Sequence, residues 1–378
     1  MSEGTEKRES GGVGGQPSFS IFSFSRSSVR FLAAAAALAL AGCAAFQETR
    51  VERLPQEQVE QMSAQRAPSE AAGFTTLKMG DEVVSFLAKS WLDGDAVTTL
   101  RMINAFDRGD THAIVEAVLA ENVRVPMTVD TGAEADVFSP SLVEKLKLPL
   151  FDTGKQPLIV RGVAGEQQAF AGGLSSLRLG GIVIHNDVVQ VLTEQHRQYT
   201  LGLFGGKTAD SGILGLNTLQ RFRWVTFDWR RRTLTLGRVG EYAPEPKKFV
   251  DAIPFRHAGG KLWASGFICR VKAVEPVDFV LDTGSDDAVM LPAPIAQRLG
   301  LLDPFAPKGN QTWITGLGGT YRGAPFMTSY VQLGRIRFIK TGGHTIPSTL
   351  GALFGNKLMR NYKTTFDFAN KRMVFENY

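Results

Sequence analysis

The chain has 378 residues, of which 43% are hydrophobic and 21% charged, and carries a formal net charge of +5. That length holds two domains with ample cores, and the balance suits a soluble globular body. The small positive excess, with no nucleic-acid motif and no aromatic residues interleaved with the basic ones, gives no ground for nucleic-acid binding. The run Arg230-Arg231-Arg232 reads as a solvated hairpin tip.

Met1 to Ser20 is rich in Gly, Ser and charge and reads as a long leader. Arg26 and Arg30 precede an apolar stretch that starts at Phe31, is too short to span a bilayer, and ends in Leu40-Ala41-Gly42-Cys43. Charge, apolar core and small residues in that order form a secretory signal. Leu-Ala-Gly-Cys resembles the bacterial lipoprotein cleavage box. The resemblance implies a signal peptide over residues 1–43, a lipid on Cys43 that anchors the mature chain to a membrane, and a periplasm-facing location. Ala44 is not the Asp that commonly retains such lipoproteins at the inner membrane, so the outer membrane is expected. An ordinary signal peptide with a coincidental Cys is the alternative. Of the two cysteines, Cys269 is then left without an intrachain partner, and it is expected buried and inert.

Residues 44–73 are polar and read as a tether, with helical potential over Gln56 to Gln65. From Phe74 to Glu121 the apolar spacing suits helices or strands on either side of a turn at Asp93-Gly94-Asp95. This part reads as an extension of the first lobe, with no clear counterpart later in the chain.

A strand-like run through Val123, Val125, Met127 and Val129 breaks at Asp130-Thr131-Gly132 and resumes at Val137-Phe138. A second run through Val277, Phe279, Val280 and Leu281 breaks at Asp282-Thr283-Gly284 and resumes at Val289-Met290-Leu291. A Pro and a short helical segment follow each, Ser141 to Leu148 and Pro294 to Leu301. Glycine-rich hairpin tips come next, Gly162-Val163-Ala164-Gly165 and Gly316-Leu317-Gly318-Gly319. Ile213-Leu214-Gly215 then matches Leu353-Phe354-Gly355, and Thr226-Phe227-Asp228 matches Thr365-Phe366-Asp367. Five features repeated in one order, a domain length apart, mark an internal duplication. Glu241 to Lys248, with Pro244 and Pro246, reads as the connector, within boundaries of 74–240 for the first lobe, 241–250 for the connector and 251–378 for the second lobe. A third Asp-Thr-Gly, at Asp152-Thr153-Gly154, has no apolar strand after it and reads as a surface turn.

The order of apolar strand, Asp-Thr-Gly-Ala/Ser, glycine-rich hairpin, apolar-apolar-Gly and closing hairpin resembles the aspartic proteases, and in its compact form the retropepsin half more than the pepsin lobe. The resemblance implies an all-β chain of two retropepsin-like β-barrel lobes with an active-site cleft between them. It assigns Asp130 and Asp282 as the catalytic pair of an endopeptidase acting on peptide or protein substrates of the envelope. Thr131 and Thr283 would tie the two loops together. Gly132 and Gly284 let the backbone approach the carboxylates, which a β-carbon would hinder. Glu134 and Asp286 fall at the acidic position that contacts substrate main chain, although the Gly-Arg-Asn/Asp pattern that supports it is replaced here by Gly215-Leu216-Asn217 and Gly355-Asn356-Lys357. Gly162, Val163, Ala164, Gly165, Gly316, Leu317, Gly318 and Gly319 would form two flaps, one of them alternatively a plain turn.

Two carboxylates a few ångströms apart come to share one proton, and so supply both a base and an acid. Ser285 has a hydroxyl to donate to Asp282 where Ala133 has none for Asp130, which predicts Asp282 as the more readily ionised partner. The five histidines are scattered and form no HExxH or Cys/His cluster, so no metal and no cofactor is expected. A monomer is expected. Pairing of each lobe with a lobe of another molecule stays open, as does a non-catalytic peptide-binding lipoprotein on the same fold.

Overall fold

The structure, a computed structural model, describes residues 46–378 except 69–73, 80, 81, 89, 104–111, 121, 154–157, 202–211, 272, 303–310, 317, 318 and 348–350. The signal segment, Cys43, Gly154, Leu317 and Gly318 therefore lie outside the described residues. The chain divides into a small unit, residues 1–48 and 200–205, and a large one, residues 49–199 and 206–378. Of the small unit, only the ends of the strands Phe46–Arg53 and Glu194–Leu201 are described. The large unit holds both lobes.

The fold is all-β, with a few short helices. Val123–Val129 buries Val125, Met127 and Val129 and turns the intervening residues outward, the period-2 pattern of a strand covered on one face. Ala273–Asp282 begins in that way and becomes fully buried as it reaches Asp282, as a strand does where the sheet is covered on both sides. Each of these strands pairs antiparallel with the one before it, Ile114–Leu119 or Lys261–Arg270. Each also pairs parallel with a short apolar strand from far downstream, Gly212–Leu214 or Ala352–Gly355. The matched tripeptides ending at Gly215 and Gly355 thus do the same job, flanking the strand that delivers an aspartate.

A six-stranded sheet joins the lobes. At its centre Trp224–Asp228 pairs antiparallel with Lys363–Asp367, and Thr226 lies opposite Thr365, its equivalent in the repeat, with the two hydroxyls 2.8 Å apart. Each lobe adds its closing strand, Thr233–Gly237 or Arg372–Glu376, and an outer strand, Val97–Arg101 or Phe249–Pro254. The segment from Phe74 to Glu121, read as an extension without counterpart, is corrected here. Val97–Arg101 sits where Phe249–Pro254 does, and Ile114–Leu119 sits where Lys261–Arg270 does. The likeness is one of pairing position, and the residues share no recognisable pattern.

The polar tether is corrected in part. Gln56–Ala64 is helical and buries Val59; Leu54 and Met62 pack beside it on the main core. Leu54 N–H also donates to Thr193 O at 2.9 Å and Ala67 N–H to Leu150 O at 2.8 Å, so residues 54–68 dock on the first lobe. Asp152 of the third Asp-Thr-Gly is exposed and pairs with Arg66 at 3.2 Å, whereas Thr153 beside it is buried. Among the described residues Leu54 is the first to contribute to an apolar cluster, so residues 44–378 keep the whole described core. Among the described residues no helix is long and apolar enough to cross a membrane.

Phe366 is fully buried and lies within 5.8 Å of Phe227 from the other lobe and 6.5 Å of Phe255, by ring centroids. Phe366→Ala is expected to cost about 3–5 kcal/mol. Because the shared sheet ties both lobes to this residue, urea unfolding should show one transition displaced as a whole. Loss of the second lobe alone would contradict the description of the sheet.

Candidate active site

Each Asp-Thr-Gly loop is closed by its own aspartate. Asp130 Oδ1 accepts from the N–H groups of Gly132 at 2.7 Å and Ala133 at 3.1 Å. Asp282 Oδ1 accepts from Gly284 at 2.8 Å and Ser285 at 3.1 Å. The two loops are bolted to each other by the threonines, both buried. Thr283 Oγ1 accepts from Thr131 N–H at 2.9 Å and donates to Val129 O at 2.9 Å. Thr131 Oγ1 accepts from Thr283 N–H at 3.1 Å and donates to Leu281 O at 2.7 Å. Each hydroxyl uses its single proton and one lone pair across the lobe boundary, so no polar group is left unsatisfied.

The glycines face the opposite carboxylates. A Cβ on Gly132 would stand 2.4 Å from Asp282 Oδ1, and one on Gly284 would stand 2.3 Å from Asp130 Cγ. Only glycine lets the two carboxyl groups meet. Behind the loops the lobes use different supports. In the first, buried Asp136 accepts from Gly215 N–H at 2.7 Å and Thr218 Oγ1 at 2.8 Å, and burial beside Asp187 pushes its carboxyl well above the usual range. In the second, Gly355 N–H donates to the Ala288 carbonyl at 3.0 Å, and no acid is needed.

Burial, then the charge of Asp130 and the hydrogen bond with it, push the pKa of Asp282 up to about 8, against the opposing pull of Lys261 and the Gly284 N–H. Burial therefore favours the proton of the pair on Asp282. The expectation from Ser285 is overturned. The Ser285 hydroxyl points to Met290 Sδ at 3.6 Å, and only its backbone N–H reaches Asp282. Both aspartates thus have the same pair of backbone donors, and Asp282, 9% exposed, is the more buried of the two.

Two further residues, unremarked in the sequence, hold the loops from the opposite lobe. The Lys261 ammonium donates to the Gly132 carbonyl, and His112 Nε2 lies 3.0 Å from the Gly284 carbonyl. They occupy equivalent places. The pairing of Ile114 with Thr128 puts His112 opposite Asp130, and the pairing of Trp263 with Val280 puts Lys261 opposite Asp282. The signal was a polar residue opening the apolar run before each aspartate-bearing strand, and it means something only once those strands are matched.

Both glycine-rich stretches form hairpins, so neither flap is a plain turn. Leu158–Gly162 pairs with Gly165–Leu179, turning at Val163 and Ala164; Thr312–Gly316 pairs with Gly319–Gly323. Gly165 and Gly319 have φ of 142° and 121°, open to glycine alone. The tips touch, since a Cβ on Gly316 would stand 2.2 Å from Val163 Cγ2. Val163 crosses to pack with Ile314 and Tyr321 on a second-lobe cluster of Val280, Met290, Ile346 and Leu353. A first-lobe cluster of Val137, Val160, Ala169 and Leu192 lies in the matching place. Glu134 and Asp286 are both exposed, and Glu134 leans over the backbone of Gly260 in the other lobe. Next to Asp286, Asp287 bonds His344 Nδ1 at 2.6 Å, which raises the pKa of that imidazole.

Residues 117–221 match the family model described as "gag-polyprotein putative aspartyl protease". That span runs from the strand before Asp130 to the helix Leu216–Leu219 and takes in the first flap. A search of curated proteins finds no match to the chain.

Two outcomes are expected of this geometry. Folding binds a proton at Asp282 that the unfolded chain, with an ordinary value of about 3.9, gives up. Its contribution to stability is full below about pH 4 and is lost as pH rises through about 8. Urea midpoints measured from pH 4 to pH 9 should thus fall more steeply for the wild type than for Asp282→Asn; parallel curves would refute the shared proton. Lys261→Met should move the Asp282 titration upward and Lys261→Arg should not, as read by carboxyl carbon NMR.

Proposed function

We propose that this chain, whose residues 117–221 match an aspartyl protease family model, is a retropepsin-like endopeptidase that hydrolyses peptide bonds with Asp130 and Asp282. The observation that carries the reading is the meeting of two carboxyl groups across the mutually facing glycines, with one of them protonated at neutral pH. A pure binding cleft gains nothing from holding two acids in repulsive contact, whereas hydrolysis through an activated water needs a base and an acid in that position.

In the proposed reaction Asp130 takes a proton from water as its oxygen attacks the scissile carbonyl carbon. Asp282 gives its proton to the carbonyl oxygen, which forms a gem-diol. Asp130 then passes its proton to the amide nitrogen, the C–N bond breaks, and Asp282 recovers a proton from a gem-diol hydroxyl as the carbonyl reforms. The backbone N–H groups of Gly132, Ala133, Gly284 and Ser285 hold each carboxyl group in place through this exchange. The flaps close over the substrate, shut out water and grip its backbone.

A cleft covered by two hairpins takes an extended segment with both edges free, which favours unfolded chains and exposed loops. The apolar clusters beneath the flaps favour aliphatic or aromatic side chains on either side of the scissile bond. We place the enzyme on the periplasmic face of the outer membrane, anchored through lipid on Cys43, with envelope proteins or peptides as substrates and with both aspartates supplied by one chain.

Cleavage of casein by residues 44–378, followed from acidic to neutral pH, tests this. Asp130→Asn and Asp282→Asn should each lower the rate by about 10²–10⁴-fold. An equimolar mixture of the two variants should stay inactive; recovery would mean that the pair forms between molecules. A wild type that binds extended peptides without cleaving them would leave the binding module as the function.

A further inference from the structure

Away from the cleft, at one end of the second lobe, three turns come together: Arg270-Val271, Met327-Thr328-Ser329 and Ile339-Lys340-Thr341. They are braced against one another. Ser329 N–H donates to Cys269 O, Lys340 N–H to Ser329 O and Val271 N–H to Ser329 Oγ, each at 2.8 Å, and Thr328 N–H donates to Thr341 O at 2.9 Å. On this rigid platform the apolar side chains point outward. Val271 is 80% exposed, Ile339 75% and Met327 59%. They border an open groove of about 500 Å³.

Val271 is the telling residue. Its φ is +54°, a conformation in which a β-branched residue is strained and where Gly or Asn would serve the turn better. The position thus carries backbone strain and exposed apolar surface together, and neither helps the fold. The charges around it have one sign. Among the described residues the three turns hold Arg270 and Lys340 and no acid. Arg337 lies over the Tyr330 ring beside Ile339, 5.0 Å from its centre. Glu275, the first acid after Val271, is bound to Arg298 at 2.6 Å.

We infer that this end of the second lobe docks on an anionic lipid surface, the aliphatic tips entering the headgroup boundary while Arg270 and Lys340 lie among the phosphates. Cations set around exposed aliphatic residues match an anionic bilayer. A second copy of the chain fits less well, because a symmetric contact through this face sets its cations against themselves. The contact is independent of the chemistry in the cleft and of lipid on Cys43.

The test is co-sedimentation of residues 44–378, which retain the described core, with vesicles of phosphatidylglycerol and phosphatidylcholine or of phosphatidylcholine alone. The protein is expected to pellet with the anionic vesicles only. Val271→Asp with Ile339→Asp should abolish binding, and Lys340→Gln should weaken it about fivefold at low salt. Met327→Asp, outside the strained turn, repeats the test if the double variant melts early, and circular dichroism checks folding throughout. Binding to neither vesicle, equal binding to both, or binding that these variants leave unchanged would overturn the proposal. A dimer seen by light scattering that the same substitutions dissolve, without vesicle binding, would do so in favour of self-association.

Discussion

Two acidic side chains in contact, largely removed from water, are an unfavourable arrangement, and much of this structure keeps them there. The reciprocal threonine bonds supply the main restraint. Thr131 and Thr283 are each donor and acceptor across the lobe boundary, so a shift of one loop against the other breaks several buried hydrogen bonds at once, each costly to leave unmade. Burial first, and then the charge of Asp130, push Asp282 up to about 8, so the strain is relieved by protonation instead of displacement.

The same constraint explains the cross-lobe contacts. Glycine carbonyls that turn away from the carboxyl groups need donors, and each lobe supplies one to the other: Lys261 to Gly132 and His112 to Gly284. One is a permanent cation and the other an imidazole, so the duplicated halves are equivalent in place and different in charge. Divergence shows behind the loops as well, where buried Asp136 does in one lobe what a backbone carbonyl does in the other. A duplicated chain preserves the geometry of its centre while its supports drift, because a loop can be held by any donor or acceptor that reaches it.

The six-stranded sheet fixes the lobes at the far end, with Thr226 and Thr365 at its centre. The lobes are therefore held together at the sheet and at the threonine bonds, with apolar core between, and again where Val163 packs on the second-lobe cluster. The flaps are hairpins outside this clamp, joined to it by one end each, and their tips meet at Val163 and Gly316. The apolar end of the second lobe, around Val271 and Ile339, is also outside it.

Much of the architecture was legible in the sequence. A strand that ends in Asp-Thr-Gly, a glycine-flanked hairpin and an apolar-apolar-Gly run are local patterns, and their repetition in one order is enough to locate two lobes and the two aspartates. The sequence by itself located the two Asp-Thr-Gly loops and the glycine beside each aspartate, because these are local patterns that repeat in one order. Only the tertiary structure decided which aspartate is the more buried, that the Ser285 hydroxyl turns to Met290, that Val97–Arg101 is the counterpart of Phe249–Pro254, and that His112 and Lys261 cross between lobes. Those outcomes depend on burial and on strand register, and both are set by residues far apart along the chain.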